Sequence, residues 1–211
     1  MVGWRYFQTK DLTMAGSVKA KTPSPKNVPY TVAGDTLADI WADIEKKGPK
    51  VNGKNRAGKT VAKGDANPNC GFKVKEDKKK GVFICDLATS VVNVSLVDCT
   101  IDHPKLKSDK NLSAKAKKEW KRFMKELMVH ENEHVTAMID EMKALGKEVV
   151  NITKQVEDAD KKVAQEKALK EWETDVLAKI DTSTIEARLE KVNKALDSKT
   201  GHGPVLDTSI P

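Results

Sequence analysis

Arginine is scarce here: Arg5, Arg56, Arg122 and Arg188 are the only four among 38 basic residues, the rest being lysines scattered among glutamates. Arginine is the side chain that grips phosphate and base edges bidentately, so a net charge of +7 carried by lysine argues against nucleic-acid recognition and leaves an acidic partner or a merely basic surface. Aromatic residues make up 5% of the chain and charged residues 33%, which predicts a modest core and much solvated helix surface. No run of about eighteen apolar residues occurs, which speaks against a membrane-spanning helix. Met1-Val2-Gly3-Trp4-Arg5 lacks an apolar leader segment, so the chain as given carries no recognisable signal peptide. Export with the signal already removed and a cytoplasmic location are both compatible with that. Cys70, Cys85 and Cys99 form no CxxC pair and none adjoins a histidine, which makes them poor zinc ligands; one disulfide with one thiol, or a reduced set, are the alternatives.

Histidine is rare too, with only His103, His130, His134 and His202, yet two of the four fall in His130-Glu131-Asn132-Glu133-His134. This is an HExxH pentad. On a helix its histidines stand one turn apart on one face and can share a Zn2+ ion, while Glu131 can act as general base on a water that the metal activates. A bare HExxH also arises by chance on charged helices, so its context decides. Trp120, Phe123, Met124, Leu127, Met128, Val135, Met138, Ile139, Met142 and Leu145 recur at threes and fours and define a buried face. At about 100° per residue Glu131 falls near the middle of that stripe and the histidines along its edge. A carboxylate aimed into an apolar face is costly unless it is protonated, paired or close to a metal, so this position demands a partner.

A catalytic zinc site takes a third protein ligand and keeps one position open. Asp140 has the spacing of an extended HExxHxxGxxH/D motif, but Ala137 stands where the required turn needs glycine, and on a continuing helix Asp140 points to the polar side. Glu141 is on the right face but about 10 Å along the axis. Glu157, Asp158 and Glu166 are candidates from a following helix. His202, in Thr200-Gly201-His202-Gly203, sits in a short polar turn whose glycines allow close backbone approach.

These residues carry a family resemblance. Tyr30-Thr31-Val32-Ala33-Gly34-Asp35-Thr36, Gly48-Pro49, Trp120 with Phe123 ahead of the pentad, then Asn193, Leu196-Asp197 and Thr200-Gly201-His202-Gly203 resemble a bacterial family of predicted secreted zinc-dependent proteases, a domain of unknown function grouped with the zincin peptidases. Its closing segment is similar to yDxxTxHG, and Leu196 stands where an aromatic is common. The resemblance runs from about Pro29 to His202. It implies His130, His134 and His202 as zinc ligands, Glu131 as base, a peptide or protein substrate, and a secreted or periplasmic location.

Along the chain, residues 1–27 read as an N-terminal extension and 28–211 as a single zincin-like domain, strand-rich over 28–111 and helical over 112–211. Val28 to Val32 reads as a strand. Gly34-Asp35-Thr36 opens a helix to about Lys47, with Leu37, Ile40, Trp41 and Ile44 on one face, and Gly48-Pro49 stops it. Strands follow at Lys59–Ala62, Gly71–Lys75, Gly81–Leu87 and Val91–Ile101, with a hairpin turn at Asp77 to Gly81 and a polar loop from His103 to Asn111. In zincins a strand edge beside the HExxH helix can hold an extended peptide by strand addition. Beyond Gly146 a second helical stretch, Val149 to about Ile180, and a last helix, Thr184 to Leu196, are expected. Gly53-Lys54-Asn55-Arg56-Ala57-Gly58-Lys59-Thr60 matches the P-loop pattern, but neither a buried strand before it nor a helix after it fits, so it reads as a solvated loop.

The expectation is an α+β, zincin-like fold, with an antiparallel or mixed N-terminal sheet and one helix, then a long HExxH helix and a helical C-terminal half. Its function would be a zinc metallopeptidase with Glu131 as general base. The alternative is a non-catalytic helical binding or scaffold protein with structural zinc or no metal. Tyr6 and Tyr30 are the only tyrosines, and His103 is a free candidate for stabilising an oxyanion.

Overall fold

The computed structural model describes the backbone of residues 6–8 and all of residues 16–210; Met1 to Arg5, read above as lacking an apolar leader, lie outside the described residues. The elements in chain order are strands β1 (Tyr6–Gln8), β2 (Ser17–Lys21) and β3 (Lys26–Val32), helix α1 (Leu37–Lys47), strands β4 (Lys50–Val51), β5 (Lys54–Asn55), β6 (Lys59–Asp77) and β7 (Val82–Leu106), helix α2 (Ala114–Val150), strand β8 (Thr153–Asp158), and helices α3 (Lys161–Ile180) and α4 (Thr182–Thr200). The class is α+β with a mixed sheet. β7 is its spine: β8 runs antiparallel along Phe83–Ala88, β2 parallel along Val91–Ser95 and β3 parallel along Thr100–Leu106. β6 flanks β7, and β1 pairs parallel with β6.

The described residues fall into two compact units. One takes the residues before Pro23 with Gly64–Leu96 and Ile139–Leu189; the other takes Pro23–Lys63, Val97–Met138 and the residues from Glu190 onward. In the second unit α1 begins as the sequence indicates. Thr36 accepts from the Asp39 amide while Asp39 accepts from the Thr36 amide, a capping box that satisfies two otherwise orphaned donors. Leu37, Ile40 and Ile44 then bury with Val32, Leu112, Phe123, Leu127 and Leu206, and Trp41 and Trp120 both pack against Phe123. In the first unit α3 packs on β8 and buries Ala164, Ala168, Trp172 and Val176, the Trp172 indole donating to Thr89 Oγ1 at 2.9 Å.

Several boundaries differ from the sequence reading. The four expected strands between Lys59 and Ile101 are two long ones. β7 continues through His103 to Leu106, where a loop was expected. α2 continues past Gly146 to Val150; a Cβ at Gly146 would stand 2.7 Å from Val18 Cγ1, so the glycine serves close packing there and does not break the helix. The expected helix from Val149 is interrupted by β8, whose residues pair with the edge of β7. The P-loop look-alike is not wholly solvated, because Ala57 and Gly58 are buried and Lys59 opens a strand where a P-loop opens a helix.

Candidate metal centre

The pentad lies in the middle of α2, and all three of its chemical residues are buried: His130 is 6% exposed, Glu131 4% and His134 6%. Burial follows from the threes-and-fours stripe that turns this face of the helix inward. The His130 and His134 rings stand edge to face, with centroids 4.8 Å apart and their Nε2 atoms 3.3 Å apart. The third donor comes from α4. Asp197 Oδ1 lies 3.2 Å from His134 Nε2 and 3.7 Å from His130 Nε2. Three donors around a tetrahedral zinc at about 2.0–2.2 Å are separated by roughly 3.3–3.6 Å, and the sides of this triangle, 3.2, 3.3 and 3.7 Å, lie close to that. Among the described residues His130, His134 and Asp197 form such a group, all donors lying within 4.8 Å of one another.

The far nitrogen of each histidine is engaged. His134 Nδ1 stands 3.0 Å from Asn193 Oδ1, and the Asn193 amide nitrogen faces Met138 Sδ at 3.5 Å, so the carbonyl side meets the imidazole. Thr200 Oγ1 donates to Leu196 O at 2.9 Å and lies 3.4 Å from His130 Nδ1, where it can accept. With Nδ1 protonated on both rings, the two Nε2 lone pairs converge on the triangle. Fixing the tautomer through the outer nitrogen is how ligating histidines are held. Burial and the neighbouring His134 push His130 below the ordinary imidazole range, against the opposing pull of Asp197, which favours the neutral form.

His202 is brought to the same carboxylate from the other side. Its Nδ1 lies 3.2 Å from Asp197 Oδ2, and its side chain is 34% exposed. Gly201, His202 and Gly203 have φ of 77°, 62° and 92°, a left-handed run that a histidine adopts only when its surroundings hold it there. A Cβ on Gly203 would stand 3.1 Å from His130 Cδ2, so the turn lies directly against the first pentad histidine. The chain beyond it is tied to α2: Arg122 donates to Val205 O at 2.9 Å, Glu119 accepts from the Asp207 amide at 2.9 Å, and Leu206 is buried.

Glu131 has a partner of its own. Thr60 Oγ1 donates to its Oε2 at 2.7 Å. Burial pushes the carboxyl above the usual carboxylate range; the Thr60 hydroxyl and His134 pull the other way, while Asp197 and Asp102 add to the rise. His103 Nδ1 lies 3.2 Å from Pro104 O. The other carboxylates weighed as ligands are occupied: Asp140 with Lys143, Glu141 with Arg188, Asp158 with Lys167, Glu157 with Lys80 and Glu166 with Lys162. Sequence reasoning assigned no role to Asp197, Asn193, Thr200 or Thr60. Asp197, Asn193 and Thr200 were nonetheless visible as polar residues continuing the Ile185, Leu189 face of α4 at intervals of four and three.

The sequence pattern of a bacterial family of unknown function, DUF922, matches residues 28–203. The chain belongs to DUF922. The matched span covers the pentad, α4 and the Gly201-His202-Gly203 turn. No curated protein and no solved structure matches the chain.

Proposed function

We propose that this DUF922 chain is a zinc-dependent metallopeptidase. The observation that carries the reading is the convergence of His130 Nε2, His134 Nε2 and Asp197 Oδ1 at 3.2–3.7 Å, with a buried glutamate in the same pentad. Zn2+ held there supplies Lewis acidity, lowering the pKa of water toward about 7 and polarising a carbonyl. Asn193 and Thr200 keep the imidazoles in the ligating tautomer. Glu131 takes the proton of the attacking water and returns it to the leaving amine, and a carboxyl raised by its surroundings suits both halves of that transfer. The choice of a peptide bond as substrate rests on the resemblance to zincin peptidases, as does a secreted or periplasmic setting; among the described residues no helix is long and apolar enough to cross a membrane.

A second assignment of the third ligand is favoured by the left-handed turn that carries His202 to within 3.2 Å of Asp197: His202 on the metal, with Asp197 beside it. Metal analysis of the purified protein, with His130→Ala, Asp197→Ala and His202→Ala, decides between them. One zinc per chain in the wild type, lost in His130→Ala, is expected. Loss in Asp197→Ala with only weakening in His202→Ala supports the triangle; the reverse supports His202. A wild type that holds no stoichiometric zinc at neutral pH removes the reading. Zinc without cleavage of a broad peptide library, and Glu131→Gln indistinguishable from wild type, leaves a binding module with structural zinc.

A further inference from the structure

The segment Gly53 to Thr60, which looks like a P-loop and is not one, has another use. It delivers two residues onto Glu131. Thr60 Oγ1 donates to Glu131 Oε2 at 2.7 Å and lies 3.0 Å from the Glu131 carbonyl oxygen, so the start of β6 meets both the side chain and the backbone of the pentad's glutamate. Two residues earlier, a Cβ at Gly58 would stand 2.2 Å from Glu131 Oε1, 2.8 Å from its Cδ and 3.0 Å from Leu127 Cδ1. Any larger residue would drive the carboxyl group out of place. The backbone that presents Gly58 is itself pinned, because the Tyr30 hydroxyl on β3 donates to Ala57 O at 2.9 Å. Burial, with Asp102, Asp43 and Glu131 nearby, keeps that phenol protonated and hence a donor.

We propose that Thr60 and Gly58 form a positioning cradle for the Glu131 carboxylate: Thr60 holds Oε2, and the missing side chain of Gly58 leaves the room that Oε1 occupies. The inference rests on the zinc-hydrolase reading of the site. Neither residue is a metal donor, so the cradle sets where the base stands without holding the ion. Displacing a reacting group by an ångström costs on the order of a hundredfold in rate.

The test uses the full zinc-loaded chain, a peptide that the wild type cleaves, and the variants Thr60→Val, Thr60→Ser and Gly58→Ala. Thr60→Val keeps the shape and removes the donor; kcat should fall about 10- to 100-fold with KM and zinc affinity within about twofold of wild type. Thr60→Ser, which keeps the hydroxyl, should recover most of kcat, and Gly58→Ala should fall at least as far as Thr60→Val. Wild-type kcat in Thr60→Val, no recovery in Thr60→Ser, or zinc affinity falling in step with kcat would each overturn the cradle. Crystal structures of zinc-free Thr60→Val and Gly58→Ala give a readout independent of turnover: the carboxylate should move by about an ångström, and an unmoved carboxylate refutes the proposal. A wild type that fails to cleave peptides, or an active Glu131→Gln, refutes the hydrolase reading instead, and the zinc-free structures then still decide whether Thr60 and Gly58 place this carboxylate.

Discussion

Asn193→Ala tests the proposed metal site through a residue outside its donor triangle. Its carbonyl oxygen is 3.0 Å from His134 Nδ1 and its amide nitrogen 3.5 Å from Met138 Sδ, so the side chain is oriented and the imidazole proton is committed to Nδ1. Without that acceptor the proton is free to move to Nε2, the atom that points at Asp197 Oδ1 and His130 Nε2. The ligating tautomer then has to be restored before the ion binds, and the ring is freer to rotate. Loss of such an outer partner costs about 10- to 100-fold in metal affinity, equivalent to about 1.4–2.7 kcal/mol at 25 °C. Competition of the purified variant against a chelator of known zinc affinity measures this directly. Asn193→Asp, which keeps an acceptor and adds charge, should bind at least as tightly as wild type. If Asn193→Ala holds zinc within twofold of wild type while Asp197→Ala loses it, the tautomer argument is wrong and the asparagine merely packs.

Three further outcomes follow from the same structure. Saturating zinc at about a hundred times its dissociation constant should stabilise the wild type by about 2.7 kcal/mol, and a chelator should remove the gain; a thermal midpoint that ignores zinc contradicts a site formed only in the folded chain. Trp172→Ala should cost about 3–5 kcal/mol in denaturant unfolding and Trp172→Phe about 1–3 kcal/mol, because Thr89 loses its 2.9 Å donor; a change under about 0.5 kcal/mol in either would refute the packing argument. Hydrogen bonds from Arg122, against the cost of burial, hold Glu119 at about 2, below the ordinary glutamate range. A depressed folded pKa contributes stability above the unfolded value that is lost as pH falls toward the folded one, so wild-type stability should fall between about pH 4.3 and about 2 more steeply than that of Glu119→Gln, and parallel curves would refute this account of the Glu119–Arg122 pair.

The parts of this fold that the sequence made legible are those whose inner faces are large and apolar. α1 reads correctly because Leu37, Ile40 and Ile44 recur at helical spacing behind a Thr36–Asp39 capping box. The central part of β7 reads correctly because Val92, Val94 and Leu96 alternate with Asn93, Ser95 and Val97. β6 was fragmented because its inward positions between Ala62 and Cys70 are Ala62, Gly64, Ala66 and Pro68, while Lys63, Asp65, Asn67 and Asn69 face out. The period of two is intact, but small residues carry it, and they are small because the space is already taken: a Cβ on Gly64 would stand 2.5 Å from Ile185 Cγ2 and 2.6 Å from Met142 Sδ. β8 was missed for the related reason that Thr153-Lys154-Gln155-Val156-Glu157-Asp158 has one apolar residue, and its strand state is set by backbone pairing with β7.

The site obeys the opposite rule. Glu131 is found through the HExxH spacing, and its place in an apolar stripe strengthens the reading, because a buried charge there needs a partner. The same logic, carried to α4, leads to Asp197: Ile185 and Leu189 are buried, and the next steps of four on that face are Asn193 and Asp197. A buried helical face that turns polar in its last two turns leaves uncompensated groups unless something receives them, and here Asn193 meets His134 while Asp197 meets His134, His130 and His202. Thr60 was hidden differently. Nothing in its own neighbourhood signals a role, because the P-loop look-alike reads as a solvated loop, whereas the structure uses Gly58 for the volume it leaves and Thr60 for the hydrogen bond it donates. Seventy-one residues separate Thr60 from Glu131, so only the fold could join them.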